Sequence, residues 1–149
     1  ELMEMDVSTA LKACGNLKTV RQRLQVLEDL GLGYLTLGEE TPSLSGGEAQ
    51  RLKLASEMGK AQSDSIFVFD EPTIGLHPLD VRTLIGVFQT LIDNGATVIV
   101  IEHDLDVIRN ADYVIDMGPG GGEAGGRIVA SGTPDEIKSE KESITGRFL

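Results

Sequence analysis

Two short apolar runs on either side of one amphipathic helix constrain this chain more than any other feature. "SIFVFDEP" (residues 65–72) is a continuous apolar run closed by two carboxylates and a proline, and "ATVIVIEHD" (96–104) is a second. Between them, "HPLDVRTLIGVFQTLIDNG" places Val81, Leu84, Ile85, Phe88, Leu91 and Ile92 on one helical stripe. Pro78 suits the first turn of that helix and Asn94-Gly95 its end. Strand, helix and strand in that order make a crossover unit, so the two strands pair in parallel. Runs apolar at every position predict strands buried on both faces. The fold class that follows is α/β.

The remainder fits around this unit. Residues 1–30 are expected to be helical, with Leu17, Val20, Leu24 and Leu27 sharing a face and Gly31 stopping the helix. "GLGYLTLGEETPS" (31–43) reads as a loop, and a further helix starts at Ser45. After a short helix (105–110), "DYVIDM" (112–117) and "RIVASG" (127–132) form a hairpin across the loop "GPGGGEAGG" (118–126). That loop tempts a phosphate reading, but no Lys follows it and no helix starts there. Thr133, Pro134 and Glu136 open a last helix as cap, first residue and capping-box partner. The tail to Leu149 carries little pattern. The division expected is a helical region over 1–60 and an α/β region over 61–149.

Charge and length exclude some functions. A net charge of −11 argues against nucleic-acid binding by this chain alone, since phosphate contacts need clustered Lys and Arg. The basic group Lys18, Arg21, Arg23, Arg51 and Lys53 reads as a solvated helix face. The apolar runs fall far short of the ~20 residues that cross a bilayer, so no membrane partner is expected. Cys14, alone, forms no internal disulfide and reads as a small, half-buried helix residue rather than a zinc ligand. The chain begins at Glu1, so neither a leader nor a natural start is visible.

Three places carry chemistry. In "TPSLSGGEAQRLKLASE" (41–57), Ser45 and Glu48 form a capping box, which asks nothing of the two residues between. Those residues are Gly46 and Gly47, each costing a helix roughly 1 kcal/mol relative to alanine. Bare backbone N–H groups, the positive end of the helix dipole and the Ser45 hydroxyl together suit a phosphate. Asp70-Glu71 ends the first strand, where open α/β sheets bind ligands. Adjacent side chains diverge, so one carboxylate can serve a Mg²⁺ ion and the other a water as base; equally, a strand can simply end in polar residues. His103 ends the neighbouring strand and can share a site with Glu71 or stand as a surface histidine, while His77 reads as a helix-start residue. A P-loop, G-x-x-x-x-G-K-[ST], is missing: Gly59-Lys60 is followed by Ala61 and lacks the upstream glycine.

In order and spacing these motifs resemble those of ABC-type ATPases. "LSGGE" (44–48) is similar to their signature motif, "IFVFDE" (66–71) to their Walker B strand, "PTIGLH" (72–77) to the approach to their D-loop, and "IEHD" (101–104) to their switch-histidine strand. More narrowly, "DEPTIGLHPLDV", "NGATVIVIEHDLDVI" and "ADYVIDMGPGGGEAGGRIVASGTPDEI" resemble the C-terminal part of the second ATPase module of the UvrA family, the damage-recognition subunits of bacterial excinucleases; His77, where transporter ATPases usually carry Asp, favours that branch. The resemblance implies a partial ABC-type ATPase fold, mainly parallel sheet flanked by helices, with a helical signature subdomain. It implies ATP hydrolysis in nucleotide excision repair and the SOS response, in the cytoplasm. Ser45, Gly46, Gly47 and Glu48 would meet the γ-phosphate of a nucleotide held by another module's P-loop. Asp70 would organise Mg²⁺ through water, Glu71 would polarise the attacking water, and His103 would sense the γ-phosphate. The implied partners are the upstream remainder of the same protein, with its P-loops and zinc, a second UvrA-like subunit, a UvrB-like protein and damaged DNA. A paralogue linked to drug tolerance, a transporter cassette and a vestigial regulatory module are the alternative readings.

Overall fold

The computed structural model describes residues 1–58, 64–120 and 125–149. The Gly59-Lys60 pair and the centre of the 118–126 loop lie outside the described residues. The chain divides into two compact units, Glu1–Glu102 and His103–Leu149.

In the first unit, α1 (Val7–Ala13) and α2 (Lys18–Asp29) occupy the region expected to be helical, as two helices rather than one. Cys14 caps α1 half-buried, its thiol donating to the Leu11 carbonyl at 3.1 Å. Gly31 follows α2 with φ +69°, the left-handed stop that glycine adopts without a Cβ penalty. Only part of the expected α2 stripe is used. Leu24 is buried and Leu27 packs beside it, whereas Leu17 and Val20 stay exposed.

Next come α3 (Gly46–Glu57), β1 (Ile66–Asp70), α4 (Pro78–Asp93) and β2 (Thr97–Ile101). β1 and β2 pair in parallel, Ile66 opposite Thr97 through Asp70 opposite Ile101. His77 is the N-cap of α4, its Nδ1 accepting from the Leu79 N–H at 3.3 Å, and Pro78 follows it. The α4 stripe is buried through Val81, Leu84, Phe88 and Leu91, joined by Val87, while Ile85 and Ile92 at its margin are only half-buried. It meets Leu30, Leu32, Leu54 and Phe69 in the main core, with the Phe69 and Phe88 rings 5.0 Å apart.

The strands depart from the expected burial on both faces. Phe67, Phe69, Val98 and Val100 face the core, but Ile66 is 68% exposed, Val68 62% and Ile101 56%. Alternation along a strand sends these residues to the opposite face, which no described element covers.

The second unit contains α5 (Leu105–Arg109), β3 (Val114–Gly118), β4 (Arg127–Gly132) and α6 (Pro134–Ser139). β3 and β4 form the expected antiparallel hairpin, with a register shift at Asp116/Met117. The tail does more than its sequence suggests. Ser143, fully buried, and Thr145 both donate to the Asp116 carboxylate, tying the tail to β3. One sheet is therefore parallel and the other antiparallel, within an α/β chain.

Candidate functional site

Ser45 is exposed and sits in extended backbone (φ −65°, ψ 160°) before α3. Its hydroxyl accepts from the Glu48 N–H at 3.3 Å, and the Ser45 N–H donates to Glu48 Oε2 at 2.6 Å, so the capping box is complete. The Tyr34 hydroxyl also donates to Glu48 Oε1. The Tyr34 bond first, and the Ser45 N–H second, hold the Glu48 carboxyl below its ordinary range. Burial and then Glu48 raise the Tyr34 phenol. Glu48 is thus committed to the scaffold of the turn.

The structure gives the two glycines separate reasons. Gly46 is exposed, and a Cβ placed on it would meet nothing within 4 Å. Packing does not require glycine there. Gly47 is buried, and a Cβ on it would lie 3.2 Å from Arg51 Nη1 and 3.5 Å from the Ile74 carbonyl oxygen. Its bareness lets α3 approach the 72–74 segment closely. The first-turn N–H groups of both glycines have no intrahelical acceptor, and the exposed end of α3 carries the positive pole of the helix. These features fit an anionic oxygen.

Arg51 departs from the solvated face expected of it. It is 2% exposed, and its Nη1 donates to the Pro72 carbonyl at 2.9 Å. Its Nε is buried with no hydrogen-bond partner among the described residues. Burial pulls its pKa down, opposed by the nearby Tyr34 and Glu48. The residue before it, Gln50, pairs with both backbone groups of Asp70. Gln50 Nε2 donates to the Asp70 carbonyl at 2.9 Å and Gln50 Oε1 accepts from the Asp70 N–H at 3.1 Å. An amide side chain here takes the place of a neighbouring strand.

Asp70 is exposed at the end of β1, and Glu71 is half-buried. The Glu71 N–H donates to the Ile101 carbonyl at 2.9 Å, continuing the β1–β2 pairing. Its φ of +46° is left-handed, a conformation costing a residue with a Cβ about 1–3 kcal/mol. Two residues on, the Thr73 N–H and hydroxyl both donate to Glu102 Oε1, fixing the segment to the end of β2. Gln50, Arg51 and Glu102 were not among the sequence candidates. Gln50 and Arg51 look like ordinary polar helix residues, and nothing local marks the left-handed turn.

In the second unit, exposed His103 directly precedes Asp104, whose carboxylate caps α5 by accepting from the Asp106 and Val107 N–H groups at 2.9 and 3.2 Å. Among the described residues no group of three or more His, Cys, Asp or Glu is placed to hold a metal ion. A Mg²⁺ ion organised by Asp70 would take its remaining ligands from water and phosphate, a common arrangement for this ion. Among the described residues no helix is long and apolar enough to cross a membrane.

No family model matches the chain. Along its whole length it is similar to UvrABC system protein A. It is 53% identical to that of Bacillus subtilis and 51% to that of Aquifex aeolicus, covering 100% of this chain and 16% of each relative. The chain therefore spans only a small part of the curated relatives it matches. Among solved structures, UvrA2 from Deinococcus radiodurans superposes with a TM-score of 0.87 at 43% identity, over 99% of this chain and 18% of that one. An ATP-binding cassette of an ABC transporter, in its ADP conformation, shares the fold at 20% identity and a TM-score of 0.51, over 99% of this chain and 64% of that one. On this identity and superposition the chain matches part of the UvrA-type proteins over its whole length, and its fold is part of the ABC-type ATPase fold.

Proposed function

We propose that this chain supplies one half of a composite ATP site in a longer UvrA-like protein acting in nucleotide excision repair. The observation that carries this reading is the exposed, glycine-bare start of α3, joined by Gln50 and Arg51 to the strand end bearing Asp70 and Glu71. Ser45, Gly46 and Gly47 meet the γ-phosphate through the hydroxyl and backbone N–H groups, with Glu48 shaping the turn. Asp70 organises Mg²⁺ through water. Glu71 accepts the proton of the attacking water, and His103 donates a hydrogen bond to the γ-phosphate. Catalysis of phosphoryl transfer to water then rests on positioning and charge stabilisation.

The other half of the site, a P-loop, comes from elsewhere in the protein or from a second subunit. The apolar outer faces of β1 and β2 support a larger assembly, since exposed patches of this kind mark interaction surfaces. Zinc, damaged DNA, a UvrB-like partner and a cytoplasmic setting belong to this same reading of the whole protein. We also infer that the isolated chain neither turns over ATP nor binds it tightly. Measurable turnover by the purified 149 residues overturns that inference.

The test of the site is Glu71→Gln in the full-length parent. Hydrolysis at this site falls by about 10²–10⁴-fold, the range of a lost general base, while ATP still binds. Unchanged single-site turnover removes Glu71 from the role of base and the reading with it.

A further inference from the structure

We propose that Gln50 and Arg51 act as positioning residues, a backbone clamp that sets the Glu71 carboxylate relative to the glycine-bare start of α3. The proposal rests on the reading of Glu71 as the base. Its own evidence is the arrangement of hydrogen bonds around that residue. Gln50 takes both the N–H and the carbonyl of Asp70, at 3.1 and 2.9 Å, immediately before Glu71. Arg51 takes the carbonyl of Pro72, at 2.9 Å, immediately after it. Two consecutive residues of one helix therefore hold the backbone on both sides of Glu71.

What they hold needs holding. At φ +46° the Glu71 backbone sits in a region that residues with a Cβ avoid, and such a conformation persists only where its surroundings impose it. On the β2 side the Glu71 N–H donates to the Ile101 carbonyl, and Glu102 anchors Thr73 beyond. The bonds to the flanking Asp70 and Pro72 come from α3. That helix begins directly after its Ser45 cap, and the same Arg51 guanidinium that reaches Pro72 lies beside Gly47. A shift of the helix start is thereby a shift of the clamp, and the clamp carries it to Glu71.

Arg51 adds a second indication. A buried guanidinium N–H without an acceptor costs about 1–3 kcal/mol, and Arg51 leaves its Nε in that state. A methionine or leucine would fill the position without that penalty. The same guanidinium donates to the Pro72 carbonyl at 2.9 Å, a bond that an apolar side chain of similar volume could not make.

The experiment uses the full-length parent and single-turnover as well as steady-state ATP hydrolysis. Gln50→Ala lowers kcat by about 10- to 100-fold, the effect of misplacing a reacting group by around 1 Å. KM stays within about two-fold, because the loss falls on the chemical step. Arg51→Met behaves in the same way, and Arg51→Lys, which keeps a donor for the Pro72 carbonyl, recovers most of the rate. Added to Glu71→Gln, Gln50→Ala causes no further loss in the single-turnover rate. Should Gln50→Ala lack a cooperative thermal transition, Gln50→Glu replaces it, keeping the acceptor and losing the donor, with an expected fall of about ten-fold. An unchanged kcat in the folded Gln50 variant overturns the clamp, as does a rise in KM with kcat intact. So does a loss that multiplies with that of Glu71→Gln. A Glu71→Gln parent that still turns over removes the base assignment and the clamp together. An inactive Glu71→Gln beside an unaffected Gln50→Ala removes the clamp alone.

Discussion

Two helices of this chain start with the same capping device and differ in what lies inside it. At α3, Ser45 and Glu48 exchange bonds of 3.3 and 2.6 Å around Gly46 and Gly47. At α6, Thr133 and Glu136 exchange bonds of 3.4 and 2.8 Å around Pro134 and Asp135. Proline has no N–H to offer and is pre-set for the first helical position. An aspartate in the first turn satisfies the helix dipole from within and repels an incoming anion. The α6 start is chemically closed, a structural cap and nothing more. The α3 start keeps its donors bare. A capping box therefore reports a helix boundary, and the residues inside it report whether that boundary is open to a ligand.

The sharpest way to break the comparison is to close α3 as α6 is closed. Gly46→Asp places a carboxylate where the γ-phosphate is proposed to lie, at a position with no neighbour within 4 Å of a Cβ. ATP turnover of the full-length parent falls by more than about 100-fold, while the thermal midpoint is unchanged or slightly raised by the favourable dipole. Retained turnover makes the open helix start irrelevant to catalysis.

Removing the two cap hydroxyls separates scaffold from ligand contact. Ser45→Ala and Thr133→Ala each cost about 1 kcal/mol of stability, measured by denaturant unfolding. Ser45→Ala also lowers ATP turnover by about ten-fold, the share of a neutral hydrogen bond of ~1.4 kcal/mol to the reacting group, whereas Thr133→Ala leaves it unchanged. Equal effects on turnover remove the distinction between the two starts.

The smallest expected effect is in acid. Both box carboxylates have pKa values below the ordinary Glu value of 4.5, Glu48 through Tyr34 and then Ser45, Glu136 through Thr133. A folded-state pKa below the unfolded one contributes stability that is complete above 4.5 and is lost as pH falls through the lower folded value. Carboxyl titration followed by NMR is expected to show both residues titrating below the ordinary value. Replacing Tyr34 with Phe moves Glu48 upward and leaves Glu136 where it was.

Most of the secondary structure was legible because local rules governed it. The α4 stripe, the Pro78 start and the Thr133 box involve residues within a turn of one another; the start and the box stand where their patterns placed them, and the stripe does so through Val81, Leu84, Phe88 and Leu91. The parallel pairing of β1 with β2 followed from the short crossover between them. The outer faces of those strands depart from the expected burial for a physical reason. A run apolar at every position states that both faces want cover, and the main core meets only the face of Phe67 and Phe69.

The sequence by itself determined the starts of α3, α4 and α6, the crossover and the chemically distinctive residues Ser45, Gly46, Gly47, Asp70, Glu71 and His103, because spacing and residue type act locally, whereas the break between α1 and α2 was not legible in it. Tertiary structure alone decided that Gly47 is bare to admit the 72–74 segment while Gly46 is bare with open space around it. It alone turned Glu71 left-handed, buried Arg51 and set Gln50 against Asp70. Those features join groups some twenty residues apart, and a bond across that distance depends on where packing brings two backbones together, which no local pattern encodes.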